Sequence, residues 1–215
     1  MRNKSCLPEM LTLDTRGAFE KALAYHLGDE KSRECVDRLL TRYGSLATLL
    51  SEGAEEICRV GGITMNTALL IKLIGYVNSR RITDKFEFGR VHSELEMREI
   101  ISALFLGHSV ETVYALLLDE KGRTVSVEHI SDGTVNASDI IPRKVLEYAK
   151  KKKATGVILA HNHPKGSPTA SNDDIVTTGR LVSIFASVGV HLLAHYIVAD
   201  GEIFKIDADA LYGAV

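Results

Sequence analysis

Residues 155–163, TGVILAHNH, constrain the fold more than any other stretch of the chain. Gly156 to Ala160 are apolar without alternation. A strand of that kind needs cover on both faces, as in a sheet held between helices. Sequence on either side can supply the cover. SDIIPRKVLEYAKKKK reads as a helix with Pro142 near its first turn. SNDDIVTTGRLVSIFASVG reads as a helix with Ile175, Thr178, Leu181, Val182, Phe185 and Val188 on one stripe. Further strands are expected in ETVYALLLDEKGRTVSVEHIS, around the turn Glu120-Lys121-Gly122, and in VHLLAHYIVADGEIFKI, around Asp200-Gly201. SELEMREIISALFLG reads as one more helix. Strands interleaved with helices imply an α/β layer domain over residues 93–215.

The first third is different in kind. RGAFEKALAYHLG, DEKSRECVDRLLTRYG and SLATLLSEG read as helices ended by glycines, the last with Ser45 as N-cap. In EEICRVGGITMNTALLIKLIGYVNSRR a helix breaks at Gly61-Gly62 and another begins near Met65. Helix, glycine turn, helix is the shape of a helix-hairpin-helix unit, whose exposed N–H groups grip a phosphate. The run here is Gly62-Ile63-Thr64, so a threonine stands where the second glycine is needed. Its Cβ hinders close approach of the backbone to a phosphate. A small packing module is therefore expected over 1–82, with weak DNA binding as the alternative. ITDKFEFGRVHS, polar and interrupted, is expected to hold a linker at 83–92.

Composition narrows the classes. The chain is 45% hydrophobic, with a mean hydropathy of +0.03, which suits a protein that builds a core. It has no tryptophan and only 6% aromatic residues, so Leu, Ile, Val and Ala must fill that core. No apolar run approaches the roughly 18 residues of a membrane span. MRNKSCLPEM lacks the apolar centre of a signal peptide. Cys6, Cys35 and Cys58 are odd in number and far apart, so free thiols in a reducing cytoplasm are expected. Residues 1–92 hold 14 Lys/Arg and 12 Asp/Glu, and residues 93–215 hold 12 and 16. Neither half has the basic balance of a dedicated nucleic-acid binder. The run Lys150 to Lys153 suits a helix C-terminus in water.

The chemistry concentrates at residues 160–174, AHNHPKGSPTASNDD. His161 and His163 end the apolar strand, and residues i and i+2 of a strand share a face. Two imidazoles then converge on one point. Pro164 turns the chain, and Asp174 in the first turn of the next helix can complete a two-His, one-Asp face. Such a face leaves a coordination position for water, as in a catalytic metal site. The same residues admit another reading, because Ser171-x-x-Asp174 also has the spacing of a capping box, which needs no metal.

His-x-His, seven residues, then Ser-x-x-Asp resembles the signature of the metal-dependent MPN domain, also called the JAMM or JAB domain. With Asn162 between the histidines and Pro164-x-Gly166 after them, it is similar to the bacterial RadC branch. DGTVNASDIIPRKVLEYA and the helical N-terminal region with its degenerate hairpin also match, so the resemblance covers most of residues 17–210. It implies an MPN/JAB-type mixed sheet flanked by helices, preceded by a small all-α domain. It implies zinc, one ion per chain, held by His161, His163 and Asp174; non-haem iron also takes two histidines and a carboxylate. It implies a glutamate base just before the first strand, matching Glu111, with Glu128 as runner-up. Ser171 would donate to an oxyanion. The reaction implied is hydrolysis of a peptide or isopeptide amide, with a protein or peptide as substrate. A repair or recombination accessory that binds DNA, and a scaffold without catalysis, are the competing roles. Two positions depart from the pattern: Thr64 in the hairpin, and Ala194, where an aspartate tends to precede His195. His195 itself is expected to pack or bridge rather than ligate. His26, His92, His108, His129 and His191 have no partner spacing.

Overall fold

The structure, a computed structural model, describes residues 13–85, 88–133, 137–164, 167 and 169–208. Cys6, Phe86, Glu87, Thr134 and the Lys165-Gly166 step lie outside the described residues. The chain divides into two compact units, Met1–Leu73 and Ile74–Val215.

The first unit is helical. It holds α1 (Thr15–Leu27), α2 (Asp29–Tyr43), α3 (Leu46–Ser51), α4 (Ala54–Gly61) and the start of α5 (Met65–Lys85). Phe19, Leu23, Val36, Leu39, Leu49 and Ile57 are buried in it. Asp14 and Ser45 cap α1 and α3 by accepting from the N–H groups of Gly17 and Thr48. Gly62 ends α4 in the left-handed region, at φ 62°, and a Cβ there would stand 2.8 Å from the Arg38 guanidinium. That guanidinium donates to the Gly61 carbonyl at 2.8 Å. Thr64 Oγ1 accepts from the Thr67 N–H at the start of α5, so one of the free donors of that helix end is already taken. Cys35 is buried and Cys58 half-buried, both as free thiols, and Cys58 donates to the Ile63 carbonyl.

The expected linker begins too early. Helix α5 continues through Thr83 and Asp84 to Lys85, and the division between the units falls inside it, between Leu73 and Ile74. Nothing at 82–85 breaks a helix. The Thr83 hydroxyl donates to the Arg80 carbonyl, and Arg80 pairs with Asp84 at 2.8 Å one turn on.

The second unit is the α/β layer. After α6 (Glu94–Phe105) come β1 (Thr112–Leu118), β2 (Thr124–Asp132), α7 (Ala137–Lys152), β3 (Gly156–Asn162), α8 (Asn172–Ala186), β4 (His191–Ala199) and β5 (Glu202–Asp207). The five strands lie in the order β2-β1-β3-β4-β5. Only β3 and β4 are parallel, and α8 makes the crossover between them. Asp200 and Gly201 both take positive φ, the geometry that a tight β4–β5 hairpin requires. Every residue of β3 is buried. On one face Val113, Ala115, Leu117, Val157, Leu159 and Leu192 form a core with Ile141 and Val145 of α7 and Leu181, Val182 and Phe185 of α8. On the other, Leu116, Ile158, Ala160, Ala194 and Tyr196 pack with Met97, Ile101 and Phe105 of α6.

Three details depart from the sequence expectation. Helix α7 begins at Ala137, which places Pro142 in its second turn. On α8 the stripe is narrower than expected: Thr178, Leu181, Val182 and Phe185 are buried, whereas Ile175 and Val188 are exposed. Val188 lies past the helix end at Ala186, and Ile175 sits off the centre of the stripe in the first turn. The third is a bulge. Val157 pairs with Leu192, but Ile158 pairs with Ala194, so Leu193 is an extra residue on β4. Side chains beyond it therefore exchange faces.

Candidate metal centre

The C-terminal end of β3 carries the site. His161 has the parity of Val157 and Leu159, so it faces the α7/α8 side. It is nearly fully buried. Main-chain pairing continues one step past the strand, with the His163 N–H donating to the Val198 carbonyl at 2.8 Å, which holds His163 on the same side. Helix α8 then brings Asp174 back to both rings. His161 Nε2 lies 2.9 Å from His163 Nε2 and 3.3 Å from Asp174 Oδ1, and His163 Nε2 lies 3.6 Å from Asp174 Oδ2. Among the described residues, these three form the group of candidate ligands whose donor atoms all lie within 4.8 Å of one another.

Each ring is fixed from behind. His163 Nδ1 is 2.8 Å from the Ser167 carbonyl, which can only accept, so Nδ1 carries a proton and, in the neutral tautomer, Nε2 is left bare toward the site. His161 Nδ1 is 2.8 Å from His195 Nε2, and His195 Nδ1 is 2.7 Å from Thr178 Oγ1. His195 is buried. Burial, then the nearby His161, pushes its imidazole down to about 3, so it is neutral. Asp174 is ionised. Burial pushes its carboxyl up, but the facing His161 imidazole and the hydrogen bonds from the Ser171 hydroxyl and N–H outweigh that and hold it well below the usual carboxylate range. Two nitrogen lone pairs and a carboxylate oxygen thus converge, which calls for a cation. A tetrahedral ion with ligand bonds of about 2.0–2.1 Å would set its donors roughly 3.3 Å apart; His161 Nε2 lies 2.9 Å from His163 Nε2 and 3.3 Å from Asp174 Oδ1, and the three candidate donors all lie within 4.8 Å of one another.

The capping box is also real, and the two readings coexist. Ser171 Oγ accepts from the Asp174 N–H at 3.1 Å, while the Ser171 N–H and hydroxyl both donate to Asp174 Oδ2, at 2.8 and 2.6 Å. Oδ2 is tied to the helix start and Oδ1 faces His161. In this arrangement the one hydroxyl hydrogen of Ser171 is directed at Asp174 rather than into the open pocket.

A cavity of about 330 Å³ opens over the three candidate ligands, with Glu111, Ser171 and Asp173 also on its wall. Glu111 sits just ahead of β1, where Val113 pairs with His161. Both peptides that flank it are clamped by one side chain. Asn162 Oδ1 accepts from the Thr112 N–H at 2.8 Å, and Asn162 Nδ2 donates to the Val110 carbonyl at 3.1 Å. The Gly133 N–H donates to the carbonyl of Glu111 itself. Glu128 is placed elsewhere: it lies on β2 opposite Ala115, 3.7 Å from the Lys152 ammonium, and is not on the cavity wall. Asn162 and Thr178 are the positions beside the candidate ligands that motif reading passes over. Asn162 was visible only as the residue between two histidines, and Thr178 only as part of a core stripe.

Two other expectations are settled by the geometry. Ala194 belongs to the core against α6, so a side chain at that position points away from His161. His108 and His129 make local hydrogen bonds, to Thr112 and Asp132 respectively, and take no part in the site. Among the described residues no helix is long and apolar enough to cross a membrane.

Comparison with known proteins agrees with this architecture. A family model described as RadC-like JAB domain matches residues 91–211. A UPF0758 protein of Geotalea uraniireducens (strain Rf4) is 36% identical over 186 residues, which cover 84% of this chain and 82% of that protein. A UPF0758 protein of Finegoldia magna is 41% identical over 155 residues, 69% of this chain and 67% of the relative. A third, from Vibrio parahaemolyticus, is 29% identical over 170 residues. The sheet, the His-x-His strand end and the returning helix therefore sit inside the matched segment, and the chain belongs to the RadC-like JAB domain family.

Proposed function

We propose that this protein is a metal-dependent hydrolase of the JAMM type that cleaves a peptide or isopeptide amide, with zinc held by His161, His163 and Asp174. One observation carries the reading: three clustered candidate ligands and a further acidic residue, Glu111, line a single open cavity. A divalent ion, when bound, supplies Lewis-acid polarisation and lowers the pKa of water to near neutrality. The chain's own residues supply the rest. His163 and His161 present bare Nε2 atoms because the Ser167 carbonyl and His195 take up their Nδ1 protons. Asp174 completes the ligand set while anchored to the start of α8. Glu111, on a backbone fixed by Asn162 and Gly133, takes a proton from the attacking water and returns it to the departing nitrogen. Ser171 orients Asp174 in the resting site, and a turn of its hydroxyl toward the cavity would let it donate to the tetrahedral oxyanion.

The test is a fluorogenic peptide and isopeptide library exposed to zinc-loaded protein and to Glu111→Gln. The expected result is cleavage by the first and a loss of about 10²–10⁴-fold in the second, with zinc content unchanged. Cleavage by Glu111→Gln at the wild-type rate would contradict the role of the base. The absence of any cleavage by fully loaded wild type would contradict the hydrolase reading.

A further inference from the structure

We infer that Thr178 and His195 are positioning residues that lock the tautomer of His161, through a hydrogen-bond relay that begins at the main chain of Asp174. The inference rests on the metal-site reading of His161, His163 and Asp174. Its argument is a count of hydrogens. Thr178 Oγ1 lies 2.5 Å from the Asp174 carbonyl, one turn back on α8. A carbonyl only accepts, so the single hydroxyl hydrogen goes there. Toward His195 Nδ1, at 2.7 Å, the same oxygen is left to accept, and Nδ1 must carry a proton. One hydrogen fits between the facing nitrogens of the two rings, and His161 turns its Nε2 to the other candidate ligands, so its own proton sits on Nδ1, toward His195 Nε2. That nitrogen accepts from His161 Nδ1 at 2.8 Å. The proton of His161 is thereby fixed on Nδ1, and its Nε2 lone pair is left facing His163 and Asp174.

Metal-bound histidines commonly have their outer nitrogen held by a carboxylate or carbonyl. Here a second histidine does that job, and a threonine fixes that histidine in turn. The relay starts on α8 and ends on β3, so the two elements that carry the ligands are joined through β4 by two hydrogen bonds, and a third inside α8 ties Thr178 to Asp174. No member is a carboxylate. It orients the ring of His161 without adding an anion that would weaken the pull of the site on a bound water. The bulge at Leu193 makes this possible, because it turns His195 to the face that holds His161.

Long-range ¹⁵N–¹H spectra of the histidine rings, recorded on the full metal-free chain, read the tautomers directly. The expected result is Nδ1–H for both His195 and His161 in wild type, and a mixture of tautomers at both in Thr178→Val. Zinc affinity, measured by competition with a chelator, is expected to fall about 10–100-fold in Thr178→Val and to return in Thr178→Ser. A passive packing role would leave the tautomers unmoved and would let valine, equal in shape, serve as well as serine. The inference is overturned if His195 is Nε2–H in wild type, or if Thr178→Val keeps wild-type tautomers and zinc affinity. Wild type that binds no zinc would instead sink the metal reading, and the ring spectra, which need no metal, would still decide the relay.

Discussion

Asp174 serves as helix cap and metal ligand with different atoms, and substitutions can separate the two. Asp174→Asn keeps an oxygen for the Ser171 N–H but loses the charge that faces the histidines. It is expected to unfold near the wild-type denaturant concentration in the presence of chelator, yet to retain no zinc after dialysis. Ser171→Ala removes the cap hydroxyl and is expected to lose about 1 kcal/mol of stability while keeping its zinc stoichiometry. Chemical denaturation with metal analysis on each variant checks both. The sequence showed these residues but not their division of labour. Ser171-x-x-Asp174 is the same string whether it caps, ligates or does both, and only the direction of each carboxylate oxygen tells them apart.

Among the elements, β3 was the most legible. Its unbroken apolar run demanded cover on both faces, and α6 on one side and α7 with α8 on the other provide it. Strand β4 was less so. Plain alternation from Leu192 would turn His195 away from the α7/α8 face, and only the extra residue Leu193 brings it back. A bulge has no reliable mark in sequence, which is why the partner of His161 could not be read there. The end of α5 is illegible for a related reason: a polar stretch reads as linker, although an i,i+4 ion pair sustains a helix through it. In α4, Gly62 makes a sharper claim. A side chain would have to adopt φ 62° and displace Arg38. Gly62→Ala is therefore expected to lose about 1–2 kcal/mol, measured by thermal or chemical unfolding.

At the level of the whole molecule, the site couples stability to pH and to metal. His195 titrates near its ordinary 6.5 when unfolded but only near about 3 when folded. Between those values the unfolded chain binds more protons, so its contribution to stability is full above 6.5 and is lost as pH falls toward about 3. Asp174, also held below its ordinary value of 3.8, adds to the loss at the acid end. The metal-free protein should lose stability progressively below about pH 6.5, and His195→Gln should flatten that part of the profile. Zinc acts in the opposite direction. At a free concentration of about 100 times Kd, binding to the folded state alone adds roughly 2.7 kcal/mol, or about 5–10 °C in Tm for a chain of this size.

The most direct test of the account is the metal content of purified, zinc-reconstituted wild type beside His163→Ala, by elemental analysis. The account predicts about one zinc per chain in wild type and its loss in the variant. Wild type that takes up none, or a variant that keeps its full content, would contradict the account. Residues 160–174 would then be a capped turn beside three polar side chains.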